Sequence, residues 1–189
     1  MNHLTEQQLL KQYLNGDQRS LETLINLHKD KIFTSIYLLV KDRELAEDIF
    51  QDTFIKVIDR LAKGQYNDEG KFVYWVIRIA HNLCIDHFRK SKNMSFVKKP
   101  EDRDIFESMD LMDDSPNTIE QRQSHDRVRK MLDKLPEEQR EVLILRHYAD
   151  MSFSEIAKTT ECSINTALGR MRYGLLNLRK MVREKELAL

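Results

Sequence analysis

Glycine and proline are scarce in this sequence. The chain of 189 residues has 5 glycines and 3 prolines, and two of the prolines, Pro100 and Pro116, lie close together. These two residue types most often interrupt helices and form turns, so their scarcity indicates helices with few breaks. Leu, Lys, Glu, Arg and Ile recur at helical spacing, and no stretch shows the alternation that is typical of a strand. We therefore predict an all-α fold.

Cysteine and long apolar runs are also scarce. The two cysteines, Cys84 and Cys162, are too few for a disulfide framework and are typical of a protein in the reducing cytosol. The longest apolar runs, such as residues 36–40, are far shorter than the ~20 residues that a membrane-spanning helix needs. No signal peptide is evident at the start of the sequence. We therefore expect a cytoplasmic protein without membrane insertion.

The chain as a whole has no excess of positive or negative charge, but individual segments do. The 31 basic and 31 acidic residues cancel, which argues against indiscriminate binding to nucleic acid. Residues 94–138 hold 8 basic and 12 acidic residues, whereas residues 139–189 hold 9 basic and 6 acidic residues. Between Lys158 and Arg183 there are six basic residues and one acidic residue, Glu161. This asymmetry indicates a basic functional surface next to an acidic connecting segment.

The patterns divide the chain into three parts. Residues 1–94 carry apolar side chains at helical spacing, interrupted by a loop with two glycines at 62–71, and predict one small helical domain. Residues 95–117 hold three basic and seven acidic residues without a helical pattern, as expected of a flexible acidic linker. Short helices fit residues 118–189, which we predict to form a second small helical domain.

The second domain contains the layout of a helix, a tight turn and a second helix within residues 152–180. Ser152 or Ser154 is placed to cap the first helix, and Ser163 is a good N-cap for the second. The small side chain of Ala157 allows the close helix crossing that a helix-turn-helix needs. This layout predicts a DNA-binding unit.

The second helix of this unit divides into an apolar and a polar side on a helical wheel. The apolar stripe, in which Leu168 is expected to belong to the core or its edge, consists of Ile164, Ala167, Leu168, Met171, Leu175 and Leu178. The opposite side, which we expect to face DNA, carries Asn165, Thr166, Gly169, Arg170, Arg172 and Tyr173. Gly169 either lets the helix lie close to DNA or is simply tolerated. The alternative for the whole segment is an amphipathic helix whose arginines are solvated.

Two helices of the first domain carry distinctive faces. In residues 43–61 the inward positions are apolar, and the outward acidic strip consists of Glu44, Glu47, Asp48, Gln51 and Asp52. This strip suits docking onto a basic partner, although an acidic strip is also common on a solvated helix. In residues 71–90 one face carries Tyr74, Arg78, Asn82 and Arg89. Rings and arginines on one face suit single-stranded DNA, because bases stack on rings and phosphates pair with arginine. We expect Trp75 to lie in the core.

A metal site and an enzyme site are not supported by the residue patterns. His81, Cys84 and His87 recur every three residues, but their directions spread over about 120° on the helix. No fourth ligand lies near them in sequence, whereas Zn²⁺ needs four convergent ligands. No catalytic triad, phosphate-binding loop or pair of catalytic carboxylates is evident. We therefore expect a protein that is not an enzyme and that uses no metal or cofactor.

Residues 135–180 resemble region four of the extracytoplasmic-function sigma factors, small bacterial proteins that direct RNA polymerase to promoters. In that family the recognition helix usually carries a Thr-Val-Lys-Ser-Arg run, and here residues 166–170 read Thr-Ala-Leu-Gly-Arg. Residues 43–58 resemble the polymerase-binding helix of region two. The two resemblances occur in the family's order and are joined by a linker. They imply a region-two helical bundle followed by a region-four helix-turn-helix domain.

The resemblance also implies partners and contact residues. Core RNA polymerase would bind the strip that contains Glu47, Asp48, Gln51 and Asp52. The melted minus-ten promoter element would be held by Tyr66, Asn67, Lys71, Tyr74, Arg78, Asn82 and Arg89, the first three being candidates to capture a flipped base. The minus-thirty-five element would be read as duplex by Ser163, Asn165, Thr166, Gly169, Arg170, Arg172 and Tyr173. An anti-sigma factor is a further expected partner.

Two other functions fit parts of the pattern. A helix-turn-helix regulator that dimerises through its N-terminal helices would bind a palindrome without polymerase. An adaptor or inhibitor would use the acidic face of residues 44–52 and never contact DNA. Unlike a sigma factor, the regulator would not need polymerase to bind DNA. The adaptor would be unaffected by charge reversal at Arg170 and Arg172.

Overall fold

The computed structural model describes residues 5–67, 70–94 and 127–186, and these residues are helical without a strand among them. The predicted linker, 95–117, lies outside the described residues. The first domain contains α1 (Glu6–Leu14), α2 (Gln18–Val40), α3 (Arg43–Ala62) and α4 (Phe72–Met94). The second contains α5 (127–132 in the described part), α6 (Glu137–His147), α7 (Phe153–Thr159) and α8 (Ile164–Glu186). The all-α, two-domain prediction is confirmed.

Helices α1, α2, α3 and α7 begin where short polar side chains accept hydrogen bonds from their first backbone N–H groups. The carboxylate of Asp42 accepts a hydrogen bond from the backbone N–H of Leu45 at 2.9 Å, which starts α3. Ser152 and Glu155 form a reciprocal capping box at the start of α7. Of the two serines that the sequence offered as caps, Ser152 therefore fills the position. Lys41 ends α2 in the left-handed conformation, with φ at 61°.

Each domain buries the apolar stripes of its helices. In the first domain, α2, α3 and α4 pack on one another and α1 packs on α2. Its fully buried side chains include Leu10, Leu24, Ile36, Val57 and Val76. In the second domain, α6 and α7 both pack on α8, around Val142, Ile144, Ile156 and Ala167.

The two domains also pack on each other. Helix α2 contacts α6, and α4 contacts α7, so that buried residues of both domains form one continuous apolar cluster. In the described part of the chain, four ion pairs cross this interface: Lys31–Asp150 at 2.7 Å, Lys41–Asp133 at 2.7 Å, Lys71–Glu155 at 2.9 Å and His81–Glu141 at 2.6 Å. In each pair the first domain supplies the basic group and the second the carboxylate. The interface is thus complementary in charge as well as apolar.

Candidate nucleic-acid and polymerase interfaces

The start of α8 is organised by the turn that precedes it. Ser163 caps the helix as predicted, since its Oγ accepts a hydrogen bond from the backbone N–H of Thr166 at 3.0 Å. The Thr166 hydroxyl lies 2.9 Å from the same Oγ. Glu161 occupies the turn in the left-handed conformation, with φ at 51°, which is costly for a residue with a Cβ. Capping and turn together fix the direction in which α8 leaves α7.

The side of α8 that faces the domain differs from the predicted apolar stripe. Ala167 is fully buried, and a Cβ added to Gly174 would lie 2.9 Å from Cδ1 of Leu143 on α6. Leu168, which the helical wheel placed in or beside the core, is 44% exposed, so that prediction was wrong. The prediction placed the large apolar residues of α8 inward, whereas the buried side of the helix carries the small residues Ala167 and Gly174. The buried face is consequently rotated by about 60° from the predicted stripe.

This rotation separates the two arginines that we expected on one outward face. Arg170 lies beside α6, where its guanidinium forms an ion pair with Glu138 at 3.0 Å and 21% of its side chain is exposed. Arg172 is exposed, as are Asn165 and Tyr173. The remaining predicted contact residues of this helix are also placed away from α6: Ser163 and Thr166 are exposed, and a Cβ added to Gly169 would meet nothing within 4 Å.

The aromatic and basic residues predicted on one face of α4 lie at or near the surface. Arg78, Asn82 and Arg89 are exposed and Tyr74 is half-buried. Trp75, expected in the core, is half-buried and packs against it. The ring of Tyr66, from the preceding loop, lies 4.7 Å from that of Trp75, measured between centroids. This contact holds the loop against the N-terminal end of α4.

Helix α7 of the second domain lies over this face. A cavity of about 340 Å³ between the domains is lined on one side by the predicted strand-binding residues and on the other by α7. The first group comprises Tyr66, Asn67, Lys71, Tyr74 and Arg78, and the second includes Glu155, Lys158 and Thr159. The ammonium group of Lys71 lies 2.9 Å from a carboxylate oxygen of Glu155. Five of the seven predicted strand-binding residues are therefore gathered in one interdomain cavity. Asn82 and Arg89 line a second interdomain cavity, farther along α4.

The carboxylates at this interface have altered acidity. Burial by itself would raise the pKa of Glu155, but hydrogen bonds from Ser152 and Lys71 outweigh burial and lower it. The hydrogen bond from Lys31 and the positive charge of that lysine lower the pKa of Asp150. Both carboxylates thus favour the ionised form in which they pair with lysines of the first domain.

The acidic strip of α3 is exposed, and it includes apolar residues that the sequence reasoning missed. Glu44, Glu47, Asp48, Gln51 and Asp52 are all exposed, and Glu47 pairs with Arg43 at 2.8 Å. Ile55 is 65% exposed and Ile58 is 43% exposed. On the helical wheel both isoleucines fall within the arc of the strip, a signal that was present in the sequence. Exposed apolar side chains that are surrounded by polar residues often mark a surface for binding another protein.

The candidate metal ligands on α4 do not form a site. His81 is buried and pairs with Glu141, and Cys84 is buried in the core, which raises the pKa of its thiol to about 12. Within the described residues, no three His, Cys, Asp or Glu side chains are placed to hold a metal ion. Among the helices described, none is long and apolar enough to cross a membrane.

Comparison with known proteins identifies similar chains and regions. The family Sigma-70 region 2 matches residues 24–94, and the family Sigma-70, region 4 matches residues 125–171. The chain is 30% identical to the ECF RNA polymerase sigma factor SigW of Bacillus subtilis, over 93% of this chain and 95% of SigW. It is 29% identical to the RNA polymerase sigma-H factor of Pseudomonas aeruginosa, over 88% of each chain.

Two solved structures have a similar fold. CnrH, in complex with the cytosolic domain of CnrY, superposes with a TM-score of 0.66 at 22% identity, covering 93% of this chain and 96% of that one. RpoE of Bartonella quintana, in complex with the anti-sigma factor NepR, superposes with a TM-score of 0.65 at 20% identity, covering 87% and 98%.

Proposed function

We infer the function from one premise: the chain belongs to the extracytoplasmic-function sigma factors. We propose that it binds core RNA polymerase in the bacterial cytoplasm, directs it to specific promoters and assists strand opening. The observation that carries this proposal is the presence, in one chain, of three separate surfaces: an exposed recognition helix, an aromatic and basic face, and an exposed acidic and apolar strip. A sigma factor needs all three, whereas a regulator without polymerase does not need the third.

The strip on α3 is the proposed polymerase-binding surface. Glu47, Asp48, Gln51 and Asp52 would contact basic groups of the polymerase, and the exposed side chains of Ile55 and Ile58 would be buried beside them. Charge would guide the encounter, while burial of the isoleucines would supply most of the affinity.

The proposed DNA contacts divide between the domains. The exposed face of α8 would read the minus-thirty-five element in the major groove, through Asn165, Arg172 and their neighbours. The aromatic and basic face of α4, with Tyr66, Asn67 and Lys71, would hold the melted minus-ten strand. We propose domain boundaries at 1–94 and 118–189 with a linker at 95–117. The chain itself would not be catalytic, because the polymerase supplies the catalysis and the metal.

The packing of the domains supports a further element of this function. Helix α7 lines one side of the cavity that contains Tyr66, Lys71 and Arg78, and its Glu155 pairs with Lys71, so the melted strand would compete with α7 for this face until the domains separate. Separation on core polymerase would then couple polymerase binding to strand binding. An anti-sigma factor is a proposed additional partner, since RpoE of Bartonella quintana, which shares this fold, is described in complex with the anti-sigma factor NepR.

The proposal is tested by transcription with purified core polymerase and this protein, followed by sequencing of the transcript starts. We expect new starts that share two upstream elements, and their loss with the double substitution Asp48→Lys and Asp52→Lys. Glu22→Lys, a charge reversal at an exposed position of α2, is the matched control and should keep these starts. A polymerase-independent complex on a palindrome would instead support the regulator. Unchanged behaviour after charge reversal at Arg172 would support the adaptor.

A further inference from the structure

Two large apolar side chains are exposed at the start of the recognition helix. Ile164 is 49% exposed and Leu168 is 44% exposed. They are four residues apart, so they are neighbours on the same side of the helix and are separated by about 6 Å along its axis. They therefore form one small apolar patch, which we call the apolar pair.

The apolar pair is not needed to hold α8 on its domain. The side of α8 that packs on α6 contains the fully buried Ala167, and at Gly174 the two helices approach too closely for a Cβ. Ile164 and Leu168 point away from this side by about 60–100° on the helical wheel. Their exposure in the free protein leaves them available to a partner.

The surroundings of the apolar pair favour duplex DNA as that partner. Asn165, Gly169 and Arg172 share the outward arc with it, and the exposed Arg179 lies on the same side of α8 farther toward its end. The N-terminal turn of a recognition helix is the part that meets base edges, and the positive end of the helix dipole lies there. The C5-methyl group of thymine is the apolar group on the base edges of the major groove.

We propose that Ile164 and Leu168 read thymine methyl groups in the upstream promoter element. The four-residue spacing lets the two side chains reach methyl groups on neighbouring base pairs, while Asn165 and Arg172 supply the polar contacts beside them. This inference rests on the proposed function and adds the chemistry of its specificity. It predicts an upstream element that contains thymine at the positions facing the helix start.

Uracil substitution in the promoter tests the inference with the complete holoenzyme. Each thymine of the upstream element, on either strand, is replaced by uracil, which removes the methyl group and leaves the base pairing unchanged. We expect one or two positions at which open-complex formation falls about fourfold per methyl group. Leu168→Ala should lose a similar factor on the thymine template and should no longer distinguish thymine from uracil at the affected position. This loss of sensitivity is the sign of a direct contact.

Two matched variants control for folding and for apolar exposure in general. Leu168→Met keeps an apolar side chain of similar size and should keep most of the sensitivity to uracil. Leu176→Ala truncates a leucine of similar exposure, 47%, two turns farther along α8, and should leave the sensitivity unchanged. Circular dichroism and thermal unfolding should be nearly identical for all three variants, because neither leucine is buried.

The inference is overturned if wild-type holoenzyme starts transcription at the same promoter equally well at every uracil position. It is also overturned if Leu168→Ala weakens binding to core polymerase, or to a protein inhibitor, while sensitivity to uracil stays; the apolar pair would then be a protein contact. A failure of the proposed function gives a different result, namely no polymerase-dependent start on any template, and that result would contradict both.

Discussion

The two helices that carry the proposed DNA-binding surfaces, α4 and α8, differ in how far those surfaces contact the rest of the chain. The outward face of α8 is open, and Asn165, Arg172 and Tyr173 are exposed on it. On α4, Tyr74 is half-buried in the folded chain and faces a cavity whose other side is α7 of the second domain, and Lys71, just before α4, is paired with Glu155. The proposed duplex-binding surface is therefore exposed in the free protein, whereas the proposed strand-binding surface contacts the second domain of its own chain.

This difference follows from the chemistry of the two surfaces. An aromatic and basic face built for a flexible, negatively charged strand also suits an acidic helix terminus such as the first turn of α7. A recognition helix has to enter the major groove as a rigid body, so it can stay exposed without losing its shape. If α4 holds the melted strand as proposed, access to its surface would depend on the position of the second domain.

The largest expected effect distinguishes the two arginines of α8. Arg172→Ala should weaken use of the upstream element by about 1–3 kcal/mol if the side chain contacts a base. Arg170→Ala should have a smaller effect on the promoter, because Arg170 is held beside α6 by Glu138. Initiation rates on promoter variants provide the measurement. An equal loss of initiation rate in the two variants would mean that Arg170 leaves Glu138 and contacts DNA as Arg172 does.

A second substitution opens the covered surface. Glu141→Ala removes the partner of the buried His81 and should weaken domain packing by about 1–2 kcal/mol. The free protein should then bind a fork or single-stranded oligonucleotide of the promoter roughly tenfold more tightly. Glu137→Ala, at an exposed acidic position of the same helix, is the control. Unchanged affinity with Glu141→Ala would show that closure does not limit access to α4.

The two glycines of α8 should respond in opposite ways to the same substitution. Gly169→Ala should raise the free energy of unfolding by about 0.5–1 kcal/mol, since the added Cβ meets open space and alanine favours the helix. Gly174→Ala should lower it by about 1 kcal/mol, because overpacking against Leu143 outweighs the helix propensity. Urea denaturation measures both. Stabilisation by Gly174→Ala would mean that α6 and α8 are not closely packed there.

The smallest expected effect is acid-induced loosening of the interface. The pKa values of Asp150 and Glu155 are lowered in the folded chain, so their contribution to closure is complete above the ordinary values of 3.8 and 4.5 and is lost as the pH falls below them. Fluorescence energy transfer between dyes on the two domains should therefore stay constant down to about pH 4.5 and decrease between about pH 4 and about pH 2, and Asp150→Asn should reduce that decrease. A pH-independent signal would contradict a role for these carboxylates.

Local signals in the sequence predicted much of the fold. The N-cap at Ser163, a serine cap at the start of α7 and the outward acidic strip on α3 all depend on residues that are close together in the sequence. Each could be recognised because the physics that fixes it is local.

The remainder depends on contacts between distant residues. The side of α8 that is buried depends on the contact of Gly174 with Leu143 of α6. A helical wheel of α8 alone contains no information about that contact. The ion pairs of Lys71 with Glu155 and of His81 with Glu141 join residues that are 60 or more positions apart. Ile55 and Ile58 lie within the arc of the predicted strip, but the strip was defined by its charged and amide side chains alone and therefore did not include them.

The most direct test of the central claim is the distance between the two domains with and without core polymerase. Dyes attached through non-natural residues at positions 26 and 179, which are exposed on α2 and α8, leave both native cysteines in place. Energy transfer should be high and uniform in the free protein, and it should fall when core polymerase is added. Low transfer in the free protein, or transfer that stays high in the holoenzyme, would contradict the claim that the second domain covers α4 until polymerase binds.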